Sequence, residues 1–310
     1  MAIKEKLIIS SGDPAGCGPY ISLKAILPIN FDKYDIYLVG DKDIFDRFSD
    51  FSKLRGKINF VDLATPRIKE VKPGFSTALC GRASLAYLRR ALSLMPKENI
   101  NRLVTAPVSK ESIKRIRPDF LGHTEYLADH FKVTDFAMMM ASSKIRVAIF
   151  TRHLNIRDVP DKIQAKELTK MFSLLASSLR DRFGIKSPKI ACSSLNPHAS
   201  KSTFLETEDE TILSAIERFR PKIFGPYPSD SLFTLDSIKK YDCIIAIYHD
   251  QAMIPFKLLS MKNGVNVTLG LPVIRTSPAH GPAFDLMSQG KLPFFSSMSE
   301  SIKLALRLKV

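Results

Sequence analysis

Tryptophan is absent from this chain of 310 residues, and cysteine is scarce, with four at Cys17, Cys80, Cys192 and Cys243. No two form a CxxC pair, which argues against a dithiol redox motif or a zinc ribbon and leaves scattered thiols that suit a reducing cytoplasm. No window approaches the ~18 consecutive apolar residues that a membrane-spanning helix needs. The opening MAIKEKLIISSGDPAG holds only Leu7, Ile8 and Ile9 as an apolar stretch, too short for the core of a secretory leader. A cytoplasmic protein without a membrane partner is the expectation. Dense basic runs are missing as well. The formal charge is +15, from 46 Lys+Arg against 31 Asp+Glu, yet the cations are spread along the chain without interleaved aromatics. Nucleic acid is therefore not an expected partner, whereas a field of this sign draws in small anions. The dinucleotide fingerprint GxGxxG is also lacking. The glycine-rich segment GDPAGCGP at 12–19 reads instead as a tight turn between a strand and a helix, with glycine at a positive φ.

What is present is a soluble-protein composition, 45% hydrophobic and 25% charged, on a chain long enough for two domains. Short β-rich runs alternate with helical spacing. Strands are expected at 6–10, 34–39, 57–61, 102–105, 145–151, 188–193 and 241–248. Helices are expected at 21–26, 81–95, 162–183, 206–219 and 298–308. This rhythm predicts an α/β protein with layers of helices around mostly parallel sheets. Junctions are expected near residues 125 and 286. They give a first domain of 1–125 plus 287–310 and a second of 126–286 carrying most of the candidate site.

Of six histidines, His153, His198 and His249 each follow an apolar run, just past the carboxyl end of an expected strand. Open α/β sheets place their ligands at such ends. Three imidazoles suit a divalent transition metal and leave it both its full charge and open positions. Asp250 adjoins His249 and Asp230 lies in a Pro/Ser-rich segment; a carboxylate there orients an imidazole or acts as a base, and equally serves as a cap or turn residue. Lys110, Lys257 and Arg275 are candidate binders of phosphate or carboxylate.

Together, GDPAGCGP at 12–19, GHTEYLA at 122–128, TRHLNIRDV at 151–159, LNPHA at 195–199, SDSLF at 229–233, YHDQ at 248–251, VNVTLGLPVIRTSP at 265–278 and HGPAFD at 280–285 resemble the 4-hydroxythreonine-4-phosphate dehydrogenase family. The resemblance implies two α/β/α domains with a cleft between them, similar to the isocitrate and isopropylmalate dehydrogenases. It implies a homodimer with an active site shared between subunits. A divalent metal (zinc, magnesium, cobalt or manganese) would sit on His153, His198 and His249. Substrate contacts would be His123, Thr124, Lys257, Asn266 and Arg275. The reaction implied is NAD- or NADP-dependent oxidation of 4-phosphohydroxy-L-threonine followed by decarboxylation, in vitamin B6 biosynthesis. Asp230, Asp250 or His123 would carry the proton, and sequence does not choose among them.

The chain departs from the family pattern at Ser200-Lys201-Ser202-Thr203, where glycine and glutamate are usual, at Ala252 in place of glycine, and over Ala279–Pro282, where Ala279 stands in place of aspartate and Pro282 in place of threonine. These changes leave the NAD or NADP preference open, with Lys201 a candidate contact to a 2′-phosphate. They also keep two alternatives in view: a paralogue acting on threonate or erythronate 4-phosphate, and a non-catalytic relative.

Overall fold

The apolar run Leu7-Ile8-Ile9 is wholly buried, as a strand covered on both faces requires. In the computed structural model, which describes residues 4–200, 207–219 and 223–310, it forms the middle of β1 (Glu5–Ser10). The chain divides into two compact units. The first runs to Phe131 and resumes over Pro272–Leu308, and the second spans Lys132–Leu271.

The first unit continues from β1 through α1 (Gly18–Ile26), β2 (Tyr34–Gly40), α2 (Lys42–Phe45), β3 (Asn59–Asp62), α3 (Ala78–Lys97), β4 (Arg102–Thr105), α4 (Lys110–Lys114) and α5 (His123–His130). The second contains β5 (Ala137–Ala141), β6 (Arg146–Thr151), α6 (Ala165–Asp181), β7 (Ile190–Ser193), α7 (Thr207–Glu217), β8 (Ile223–Tyr227), α8 (Ser229–Leu232), α9 (Leu235–Ile238), β9 (Cys243–Tyr248), α10 (His249–Ser260) and β10 (Val265–Leu269). The first unit then closes with β11 (Ile274–Pro278), α11 (Phe284–Ser288) and α12 (Ser296–Arg307).

Strands of the first unit lie in the order β3-β2-β1-β4-β11 and all pair in parallel. Helix α3 packs on β1 and β2, while α12 packs on β4, β11 and α1. In the second unit the order is β10-β5-β6-β9-β7-β8. Here β6, β9, β7 and β8 are parallel, but β5 runs antiparallel to both β6 and β10. The expectation of mostly parallel pairing thus holds throughout one unit and only partly in the other. Ser142 to Ile145 make a tight reversal between β5 and β6, and a connection that short joins antiparallel strands.

Helix α6 shows why the apolar spacing works. Leu168, Met171, Phe172, Leu175 and Leu179 form its buried stripe against β5, β10 and α7; burying each stabilises by roughly 1.5–3 kcal/mol as an upper estimate. The helix starts at Ala165, three residues later than its apolar pattern suggests. Gln164 is extended and Pro160–Lys162 is a separate 3₁₀ turn.

Two glycines fix the frame of the first unit. Gly12 sits at φ +77°, and a Cβ there would stand 2.3 Å from the Pro107 carbonyl oxygen, so the turn after β1 can close on the loop after β4 only without a side chain. Gly81 lets α3 approach α4, since its Cβ would lie 2.1 Å from the Ser112 carbonyl oxygen.

Candidate active site

Strands β6, β9 and β7 are consecutive neighbours in one parallel array, and each is followed by one of the three singled-out histidines. His153 comes two residues after β6, His249 opens α10 directly after β9, and His198 lies in the turn after β7. The strand-end reading of the sequence therefore places all three at one edge of one sheet. The rings of His153 and His249 are 5.9 Å apart between centroids. His249 Nδ1 lies 2.7 Å from Asp250 Oδ1. With Nδ1 donating, the ring is held in one orientation and Nε2 keeps a free lone pair, the arrangement that serves a metal-bound imidazole.

His198 is exposed and sits at φ +61° with Ala199 at φ +51°. A left-handed backbone costs roughly 1–2 kcal/mol at a residue bearing Cβ, so this turn must be held by its surroundings. Asp209, buried on α7, holds it: its carboxylate accepts from the backbone N–H of Leu195 at 2.8 Å and of Asn196 at 3.3 Å. The Ser194 hydroxyl donates to the Asn196 carbonyl oxygen at 2.7 Å.

Three imidazoles are a donor set that fits a divalent transition metal. A complete three-donor group is not assembled: among the described residues of one chain, no set of three His, Cys, Asp or Glu side chains is spaced to hold a metal. Asp230 opens toward solvent on α8, with its Oδ1 accepting from the Ser231 N–H at 2.8 Å. Lys257 is exposed on α10. Asn266 is on β10, and its Oδ1 is buried without a hydrogen-bond partner among the described residues, as a group reserved for a ligand would be.

The sequence reading missed the residue that ties these loops together. Gln251, buried on α10, accepts through Oε1 from the Ser193 hydroxyl at 2.7 Å and the Ile247 N–H at 2.6 Å. Its Nε2 donates to the Ser194 carbonyl oxygen at 2.8 Å and the Ser229 hydroxyl at 2.6 Å. One amide thus joins the ends of β7 and β9 to the start of α8, beside His249, the His198 turn and Asp230. A polar residue two positions past a strand-end histidine, next to the buried Ala252, was the available signal.

The first unit carries the other candidates. Arg275, on β11 and only 2% exposed, donates from Nε at 3.2 Å and from Nη2 at 2.7 Å to the Thr105 hydroxyl at the end of β4. Burial lowers its pKa to about 10 against the supporting charge of Glu125, and the guanidinium stays charged at neutral pH. His123 and Thr124 open α5. Burial, and then the nearby Arg275 charge, pushes the His123 imidazole down to about 3, so it is neutral at pH 7. The departures at Lys201–Thr203 lie outside the described residues. Ala279 donates its N–H to the Ser297 hydroxyl at 3.0 Å. No helix among the described residues is long and apolar enough to cross a membrane.

This arrangement has relatives. The family profile described as pyridoxal phosphate biosynthetic protein PdxA matches residues 24–305. A protein of Desulforapulum autotrophicum named 4-hydroxythreonine-4-phosphate dehydrogenase is 33% identical over 96% of this chain and 93% of its own. The solved structure of 4-hydroxythreonine-4-phosphate dehydrogenase from Klebsiella pneumoniae is 30% identical and superimposes with a TM-score of 0.84 over 99% of this chain and 98% of that one. An isocitrate dehydrogenase from Methylococcus capsulatus, 12% identical, matches at a TM-score of 0.50 over 97% of this chain and 85% of its own, a likeness of fold alone. With the strand-end histidines, the motifs around them and the whole length of the fold in agreement, the chain belongs to the PdxA family of pyridoxal phosphate biosynthetic proteins.

Proposed function

We propose that this chain is a 4-hydroxythreonine-4-phosphate dehydrogenase. It would oxidise 4-phosphohydroxy-L-threonine with NAD or NADP to 2-amino-3-oxo-4-phosphooxybutanoate, which loses carbon dioxide to give 3-amino-2-oxopropyl phosphate. The observation that carries this reading is the set of three histidines after three adjacent parallel strands, one of them oriented by a carboxylate.

His153, His198 and His249 would hold a divalent ion, zinc, magnesium, cobalt or manganese. When bound, such an ion supplies Lewis acidity toward the substrate hydroxyl and toward the enolate left by decarboxylation. The chain's own residues do the rest. Asp250 is committed to His249 Nδ1 and so keeps that ring in place. His123, with its pKa near 3, is a poor proton acceptor at neutral pH and serves as a neutral hydrogen-bonding group beside Thr124. That leaves Asp230 as the carboxylate to take the hydroxyl proton while the carbinol hydride passes to the nicotinamide. Arg275 is the buried cation that fixes an anionic group of the substrate, and Lys257 and Asn266 supply further polar contacts.

A homodimer whose metal sites draw on both subunits is part of this reading: His153 and His249 have ring centroids 5.9 Å apart in one chain, and His198 of a second copy would complete the donor set. Helix α10 and the residue that caps it offer a surface for the dimer: Ile254 and Leu258 on the helix and Met261 just past its end are 62%, 83% and 75% exposed, at helical spacing beside Lys257. Four free, buried cysteines fit a cytoplasmic enzyme.

The test is formation of reduced nicotinamide from 4-phosphohydroxy-L-threonine with both cofactors, against threonate and erythronate 4-phosphates as rival substrates. Turnover confined to a rival substrate, or no turnover with metal supplied, would refute the proposal.

A further inference from the structure

The loop between β3 and α3 follows a path that its residues would not take unaided. Ala64 sits at φ +47° and Arg67 at φ +63°, left-handed backbone that is strained wherever a Cβ is present. Side chains hold it there. Asp62 Oδ1 accepts from the backbone N–H of Lys42 at 2.9 Å and of Ala64 at 3.1 Å. Arg47 donates to the carbonyl oxygens of Val71 at 2.9 Å and Lys69 at 3.2 Å. Asp41, just past β2 and 1% exposed, accepts from the Thr65 N–H at 2.7 Å and from the Tyr87 hydroxyl. One buried carboxylate thus ties the loop to α3.

Between that loop and α3 lies a cavity of about 670 Å³, within the size range of small-ligand sites. Leu63, Pro66 and Val71 line it on the loop side. Leu79, Arg82 and Ala86 line it on the other, at the spacing of one helix face. Because both walls are fastened, the space is formed before any ligand arrives, which lowers the cost of binding. The charge at its rim does not balance. Arg67 donates from Nε and Nη2 to the two carboxylate oxygens of Glu70, each at 2.7 Å, and these charges cancel. Arg82 is exposed and makes no hydrogen bond or ion pair among the described residues. A single guanidinium fork beside an apolar space matches one oxyanion group on an apolar body.

The cavity is separate from the candidate active site. Within the first unit β3 lies at one end of the strand order β3-β2-β1-β4-β11, and β11, which carries Arg275, lies at the other. Four strand spacings put roughly 19 Å between them. We propose that this cavity is a second binding site, which takes a small organic monoanion with its apolar body between the loop and α3 and its charged group on Arg82. The site needs none of the residues of the dehydrogenase reading and stands or falls apart from it.

The experiment is fluorescence titration of 8-anilinonaphthalene-1-sulfonate, an apolar monoanion, and of N-phenyl-1-naphthylamine, its uncharged counterpart, into full-length wild type, Arg82→Gln and Ala86→Phe. Circular dichroism establishes that each variant is folded. The wild type should bind about one sulfonate per chain. Loss of one charge-assisted contact should weaken sulfonate binding about tenfold in Arg82→Gln, with the neutral dye unaffected. Ala86→Phe fills the cavity and should weaken both dyes. NAD and 4-phosphohydroxy-L-threonine, added together, should displace neither. Arg82 is exposed, so Arg82→Gln carries the test on its own should Ala86→Phe not fold. No saturable sulfonate binding, unchanged sulfonate affinity in Arg82→Gln, unchanged affinity for both dyes in a folded Ala86→Phe, or displacement by cofactor and substrate would each overturn the proposal.

Discussion

Gln251 and Ser229 meet at 2.6 Å, amide donor to hydroxyl acceptor, and through that contact the segment bearing Asp230 is fastened to the helix that begins with His249. The same amide holds Ser193, Ser194 and Ile247. Gln251→Leu strips four groups of a partner at once, and each buried group left unsatisfied costs about 1–3 kcal/mol. Urea unfolding should show a loss of about 3 kcal/mol or more, with kcat reduced further than the folded fraction explains. Gln251→Glu keeps the acceptor toward Ser193 and Ile247 but sets a carboxylate against the Ser194 carbonyl oxygen, and should fall between the two. A Leu variant of full stability and full activity would remove Gln251 from the site.

Stability should depend on pH through His123. The folded protein resists protonating this ring until about pH 3, against an ordinary value of 6.5, because the charged ring is buried beside Arg275. The unfolded chain takes up that proton below 6.5. Between those values the unfolded state binds more protons, so stability contributed by the neutral ring is whole above 6.5 and declines as pH falls toward 3. Chemical unfolding at a series of pH values should show this slope in the wild type and a shallower one in His123→Gln. Equal slopes would mean that the imidazole protonates freely in the fold.

Much of this was legible in the sequence, and the failures have physical causes. The strand at Tyr34 and the helices around Leu88 and Leu175 stood out because burial on one or two faces imposes its own period on the apolar residues. The strand-end histidines stood out because each follows such a run. Strand β5, AMMMA, was missed: methionine carries no β-preference and the run is short. The antiparallel turn around Ser142 was missed with it. Gln251 and Asp209 left little trace, since a buried polar residue shows its purpose only through partners such as Ser229 and Leu195, brought in from elsewhere in the chain.

Gly81→Ala tests the close approach of α3 and α4. The added methyl would meet the Ser112 carbonyl oxygen at 2.1 Å, and backbone cannot yield as a side-chain tip does. A loss of about 1–3 kcal/mol is expected in thermal or urea unfolding. A neutral substitution would show that the two helices separate without cost.

Mixing inactive subunits tests whether the imidazoles are shared. If His153 and His198 reach one ion from different subunits, then His153→Ala and His198→Ala proteins, each inactive, should regain about a quarter of wild-type activity when unfolded and refolded together. Half of the dimers are then mixed, and each mixed dimer holds one intact site. No recovery would place both ligands in one subunit.

The most direct measurement is the metal content of the dialysed protein by elemental analysis, wild type beside His153→Ala, His198→Ala and His249→Ala. The histidines at the ends of β6, β7 and β9 should retain about one divalent ion per chain, and each alanine variant should lose it. A wild type that binds no ion even after metal is supplied, or alanine variants that keep it, would contradict a metal centre on these three strands.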